Sequence, residues 1–197
     1  MTSKKTDKYE LIIESAIQLY AKKGFHNTKI KDITDNASLA AGTFYLYFKN
    51  KEDLLEALLK KYLELGFVRL EDIYHQNIPA KEKLLLFISE NIDFFFDHQY
   101  FFMIYAEYSS KKDEFHPIKK HYEFIIKYLD MVSNIIKQGQ NEGQFKQNIN
   151  LKIASRSLRG MIVMNLIAIL VFKDPSGITK EELSDNISGI FINGISV

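Results

Sequence analysis

Between Thr28 and Lys51 the chain carries side chains whose types and spacing suit a polyanion. Thr28 and Lys29 stand where a short helix is expected to begin, and the free N–H groups and positive dipole end of a helix start attract phosphate. Gly42 has no side chain, so its backbone can come close to a base edge or sugar. Thr43 and Tyr45 follow near the start of the next short helix. A threonine methyl can meet a thymine methyl, and its hydroxyl can donate or accept. Tyr47 and Lys51 suit phosphate oxygens, which set position rather than sequence choice. Charge is distributed to match. Residues 1–51 hold nine Lys against five Asp or Glu, a net of +4, while the remaining residues are net −3. A local basic patch is what phosphate neutralisation requires, whatever the net charge of the whole chain.

The elements that must position these residues are short helices. Ile12, Ala16, Leu19 and Tyr20 share one face of a helix that starts near Asp7 and ends at Gly24. Thr28 is the expected cap of a second helix, Lys29 to Ala37, with Ile30 and Ile33 inward. Ser38-Leu39-Ala40 is the turn, and Ala41 to Phe48 is the third helix. Phe44, Phe48 and Leu39 read as core. Asn50 is placed to cap a long fourth helix from Lys51, with Glu52 and Asp53 in its positive first turn. Two short helices joined by a tight turn, the second bearing the base-suited residues, form the layout of a helix-turn-helix.

The same stretch, GFHNTKIKDITDNASLAAGTFYLYFKNKEDL, resembles the N-terminal signature of the TetR/AcrR family of one-component transcriptional regulators. The resemblance rests on Gly24-Phe25, Thr28, Ile33, Ala37, Gly42-Thr43, Phe44-Tyr45, Tyr47-Phe48 and Lys51 at fixed offsets. It implies backbone contacts from Thr28, Thr43, Tyr47 and Lys51, and base contacts from Ala41, Gly42, Tyr45 and Leu46. Two positions depart from the pattern. Ser38 stands where glycine is usual, so that either the serine is left-handed, at about 1 kcal/mol, or the turn geometry differs. Ala40 stands where Ser or Thr is usual and cannot cap the recognition helix. The run Ala40–Leu54 looks like that of members sensing fatty acyl-CoA, although it lies in the DNA head.

Beyond residue 54 the periodicity stays helical, and the prolines Pro79, Pro117 and Pro175 fall at breaks. One helix is expected at about Ala80 to Asp97, another from Pro117 to Gly139–Gly143, and a last one from Thr179, where Thr-x-x-Glu182 is a capping box. The fold class is all-α, with about nine helices. Residues 1–50 form the DNA-binding domain, and residues 51–197 a domain for ligand binding and dimerisation. Gly66 lies inside the fourth helix and reads either as a hinge or as a point of close packing.

Phe94 to Tyr108 holds eight aromatics, and Phe115, Tyr122, Phe124 and Tyr128 follow. Such a stripe reads as core or as the wall of a ligand site between helices. The resemblance implies an elongated apolar cavity here, with Phe95, Phe102, Tyr105, Tyr108 and Tyr122 as candidates for a small hydrophobic or amphipathic effector. Among 23 Lys the chain has three Arg, and two of them, Arg156 and Arg159, lie one turn apart in an apolar helix. They suit either an internal ion pair or an acidic head group, which arginine grips bidentately. Leu166, Leu170, Leu183, Ile187 and Phe191 are the expected two-fold interface, since the resemblance implies that the last two helices pair with their copies and a dimer suits a palindromic operator.

Other chemistry is unsupported. The chain has no cysteine. His26, His75, His98, His116 and His121 form no metal-ligand spacing, and no GxSxG or phosphate-cradling glycine loop occurs. Neither a cofactor nor a metal is expected, and the chain is not expected to be an enzyme. The apolar run Met161 to Phe172 is shorter than the ~20 residues of a membrane span, so the expected place is the cytoplasm. These observations point to a ligand-responsive, dimeric DNA-binding regulator, most simply a repressor. The alternatives from other classes are a helical carrier of hydrophobic ligands and a small helical enzyme.

Overall fold

A computed structural model of the chain describes residues 3–99, 102 and 122–197. Among these residues are eight α-helices and no strand: α1 (Ser3–Lys23), α2 (Ile30–Asn36), α3 (Ala41–Phe44), α4 (Lys51–Tyr74), α5 (Ala80–Asp97), α6 (Tyr122–Asn141), α7 (Leu151–Leu166) and α8 (Lys180–Ile195). α7 runs on into one π-helical turn, Ile167–Val171. Tyr105, Tyr108 and Pro117 lie outside the described residues. The chain divides into two compact units between Tyr62 and Leu63, inside α4. The sequence placed that division at residue 50. The first turns of α4 belong with the head because Leu54, Leu55, Leu58 and Leu59 are buried and Lys61 pairs with Glu10 of α1.

In the first unit, α1 buries Ile12, Ile13, Ala16 and Tyr20. It starts at Ser3, earlier than expected, and ends at Gly24, whose φ of +81° suits a residue without Cβ. α2 is capped differently from the expectation. Its N-cap is Lys29, whose backbone N–H donates to Asp32 Oδ2 at 2.8 Å. The Thr28 hydroxyl turns the other way and donates to the Gly24 carbonyl at 2.8 Å, satisfying an open carbonyl at the end of α1. The carboxylate wins the cap because it is an ionised acceptor at the positive end of the helix. Asp32 also accepts from Lys23 Nζ at 2.6 Å, and so ties the end of α1 to the start of α2.

The turn after α2 takes the first of the two geometries its sequence leaves open. Ser38 is left-handed at φ +55°, and the Leu39 N–H closes back on the Thr34 carbonyl at 2.8 Å. α3 is shorter than expected. Only Ala41–Phe44 is α-helical, and residues 45–47 continue as turns. Ala40, its N-cap, makes no side-chain bond. The Leu46 and Tyr47 N–H groups reach the carbonyls of Thr43 and Phe44 in the tighter i→i−3 pattern. Phe44 and Phe48 still point inward together, both buried. At Asn50 the expectation holds: its Oδ1 accepts from the Asp53 N–H at 2.7 Å.

The second unit is a helical bundle. α5 supplies Leu84, Phe87, Ile88 and Ile92 to its core, and α6 supplies Met131, Val132, Ile135 and Ile136. α7 with its π turn supplies Leu158, Ile162, Leu166 and Leu170, and α8 supplies Leu183, Ile187, Phe191, Ile192 and Ile195. α5 has Pro79 at its N-cap and no cap of its own. Instead Glu142 Oε2 accepts from the Ala80 N–H at 2.8 Å and Gln144 Oε1 accepts from the Lys81 N–H at 2.9 Å, so the end of α6 caps the start of α5. α8 carries the expected capping box, with Thr179 and Glu182 bonded reciprocally at 3.1 and 3.0 Å.

Two glycines carry aromatic rings on bare backbone. A Cβ at Gly66 would stand 2.8 Å from the Phe94 ring, and one at Gly139 would stand 2.2 Å from the ring of Phe145. Gly66 is therefore a packing position, and α4 is continuous through it. With its π turn, α7 is 21 residues long and apolar enough to cross a membrane, longer than the apolar run suggested. Its inward residues are those already named in the core.

Candidate nucleic-acid interface and effector residues

The head presents the expected residues unequally. Lys29, Ala41 and Gly42 are exposed, and a Cβ at Gly42 would meet nothing within 4 Å. Tyr45 and Leu46, in the turn after α3, are adjacent and 61% and 74% exposed, a paired apolar surface beside the open Gly42. Thr43 and Tyr47 are half-buried, and the Tyr47 ring lies edge-on to Tyr9 at 6.0 Å. α3 thus divides its work by position. Phe44 and Phe48 anchor it, while Gly42, Tyr45 and Leu46 face outward beside the left-handed Ser38.

Two expected phosphate contacts have other duties. Thr28 is fully buried and its hydroxyl is committed to the Gly24 carbonyl, which corrects its assignment as a side-chain contact. Lys51 Nζ lies 4.5 Å from the Phe25 ring centre and donates to the Phe25 and His26 carbonyls at 2.8 and 3.4 Å. Burial holds its pKa below the usual lysine value, against the opposing pull of Glu52. An ammonium has three donors, so one remains for a phosphate. Sequence reasoning missed Lys49, which is exposed in the turn between α3 and α4. Only the local excess of lysine pointed to it.

The effector candidates separate as well. Phe95 is partly buried against the second unit's core, Phe102 is half-buried, and Tyr122 is 52% exposed. The three arginines differ. Arg69 is ion-paired with Glu90 at 3.1 Å and lies over the Phe94 ring. Arg156 is exposed. Arg159 is half-buried, with its guanidinium carbon 5.3 Å from the centre of the Tyr128 ring. Burial lowers the Arg159 pKa, opposed by Tyr128, and burial pushes the Tyr128 phenol up. Tyr128 was read in the sequence only as one more aromatic.

The residues expected at a dimer interface, Leu166, Leu170, Leu183, Ile187 and Phe191, are instead buried within the chain's own bundle, each at most 7% exposed, and so are not available to a partner. What α7, its π turn and α8 leave outside is a different set: Ile153, Met164, Phe172 and Ile190 at 64–74% exposure, with Gly160, Gly189 and Gly194 open beside them. The same heptad-like spacing describes both faces, and only the packing of the bundle decides which one turns inward.

A short recognition helix with an outward Gly-Thr-x-Tyr-Leu surface, followed in the chain by an all-helical second unit, defines a helix-turn-helix regulator. The family model described as bacterial regulatory proteins, tetR family, matches residues 12–58. The fatty acid metabolism regulator protein of Bacillus subtilis is 32% identical over 159 residues, 80% of this chain and 81% of that protein. The chain belongs to the TetR family, and it is a DNA-binding transcriptional regulator. The crystal structure of FadR from Bacillus subtilis in complex with stearoyl-CoA superposes with a TM-score of 0.78 at 28% identity, covering 95% of this chain and 99% of that one. A transcriptional regulator from Saccharomonospora viridis in complex with choline shares the fold at a TM-score of 0.83 and 19% identity, over 98% and 99% of the two chains.

Proposed function

We propose that this protein is a cytoplasmic homodimeric repressor that binds a palindromic operator and leaves it when a small amphipathic molecule occupies the second unit. The observation that carries the DNA reading is the exposure of Tyr45 and Leu46, in the turn that follows α3, together with the open Gly42 in its first turn, on a segment anchored in the core by Phe44 and Phe48. Ala41, Gly42, Tyr45 and Leu46 face the bases, with Thr43. Lys29, Tyr47, Lys49 and the free donor of Lys51 serve the phosphates. The dimer forms through the outward faces of α7 and α8, where Met164, Phe172 and Ile190 have no cover within the subunit. The similarity to a fatty acid metabolism regulator, and to a protein crystallised with stearoyl-CoA, supports a long-chain acyl effector. Such a molecule releases DNA only through unequal affinity for the bound and free states. The test is an operator gel shift titrated with acyl amphiphiles of increasing chain length. Release that strengthens with chain length supports the reading, and operator binding indifferent to all of them contradicts the effector assignment.

A further inference from the structure

Among the described residues, Arg159 is the one arginine that is half-buried without a carboxylate. Arg69 has Glu90, and Arg156 stands in solvent. No acceptor among the described residues takes any of the five N–H groups of Arg159, which instead lies over the Tyr128 ring. Tyr128 is 5% exposed, and its hydroxyl is buried with no hydrogen-bond partner. The guanidinium gains a cation–π contact with the ring, but the buried phenol hydroxyl has lost water without gaining a hydrogen bond, which folding alone disfavours. Tyr128 also packs on an apolar neighbour, the fully buried Phe87, whose ring lies 5.3 Å away.

We infer that Arg159 and Tyr128 together hold the carboxylate of an amphiphile whose apolar tail lies among the second unit's hydrophobic side chains. This rests on the effector reading above and names its head group. A guanidinium offers two parallel N–H donors to a planar carboxylate, and a neutral phenol adds a third from the side. The phenol can supply that donor because it is neutral at physiological pH, and burial raises its pKa further. The charge count favours a monoanion. Among the described residues Arg159 is the cation at the Tyr128 ring, since Lys127, next to Tyr128 in sequence, lies instead over Phe67 and Phe124 at 5.5 and 5.9 Å. A phosphate dianion calls for more positive charge than this.

The probes are dodecanoate, its uncharged analogue dodecanamide, and dodecanoyl-CoA, titrated by calorimetry into the full-length protein and into Arg159→Leu, Arg159→Lys and Tyr128→Phe. Folding of each variant is checked by circular dichroism. Dodecanoate affinity is expected to fall at least 10-fold in Arg159→Leu and several-fold in Arg159→Lys and Tyr128→Phe, while dodecanamide binds all four proteins alike. If Arg159→Leu does not fold, the other two variants decide, because both keep the bulk and the ring. Equal dodecanoate binding by wild type, Arg159→Lys and Tyr128→Phe overturns the assignment. So does the absence of dodecanoate binding to wild type, or a loss of dodecanoyl-CoA binding in Arg159→Leu as large as that of dodecanoate, which would place the CoA phosphates there. Operator binding without any amphiphile is measured separately. Its failure sinks the repressor reading and leaves the calorimetric result standing. Carboxylate binding that does not release the operator sinks the effector role and leaves the head-group site.

Discussion

Lys51 does two jobs that pull its ammonium in different directions. It fastens the Phe25–His26 loop to α4, and it keeps one donor for phosphate. Lys51→Ala is therefore expected to weaken binding to every DNA sequence and to reduce the salt slope by about 1, with some loss of head stability as well. Tyr45→Ala leaves the fold alone, since the ring is outside, and relaxes preference at particular base pairs by about 1–3 kcal/mol. Gel shifts on operator and scrambled DNA at two salt concentrations separate the two effects. A Lys51→Ala variant that binds as wild type does would contradict the docking. Asp32 gives a pH signature. Its carboxyl is held below the usual range first by the Lys23 ammonium and then by the Lys29 N–H. A depressed folded-state pKa contributes stability that is present above the unfolded value of about 4 and is lost as pH falls through the lower folded value. The stability gap between wild type and Asp32→Asn should thus be open at neutral pH and close as pH falls below about 4. Urea titrations across that range check it, and a gap that does not change with pH speaks against the bridge. Residue roles fixed by a neighbour in sequence, such as Asn50 capping α4, were legible beforehand. Thr28 was not, because its choice between α2 and the α1 carbonyl depends on where Gly24 returns the chain.

At the element scale, boundaries that rest on local chemistry agree with the sequence. The Thr179–Glu182 box opens α8, Gly24 closes α1, Pro79 stands at the start of α5, and Ser38 is left-handed. Thr179→Ala should cost about 1 kcal/mol, as losing a cap does. What escaped the sequence is set by tertiary packing. α3 stops at Phe44 and continues as turns, a shortening the local pattern does not show, since Phe44 and Phe48 at i and i+4 would share one face of a longer helix as well and both are buried. The α6 end serves as the cap of α5 through Glu142, a partner 62 residues away that no local pattern reveals. Gly139 belongs to the same class. It looks like a loose helix end, yet Phe145 rests on its backbone. Gly139→Ala should destabilise the protein by about 1–3 kcal/mol through overpacking, read by thermal unfolding. A neutral or stabilising result would mean that the ring has room to move away.

At the scale of the whole molecule, the correction at the C-terminal helices changes which mutations matter. Leu166→Asp or Leu170→Asp should unfold the bundle, whereas Met164→Asp and Ile190→Asp should leave folded monomers that bind operator weakly. Light scattering with circular dichroism distinguishes the two, and dimers that survive both outward substitutions would place the interface elsewhere. A two-fold dimer reads two half-sites in adjacent or more distant turns of the major groove, so its operator should be symmetric. Selection of bound fragments from a random pool, followed by footprinting of the enriched sequence, tests it most directly. The expected result is a palindromic consensus protected on both halves, with protection lost in Lys51→Ala and base preference loosened in Tyr45→Ala. A folded, dimeric wild-type protein that enriches no sequence, or protects only a single unrepeated site, would contradict it.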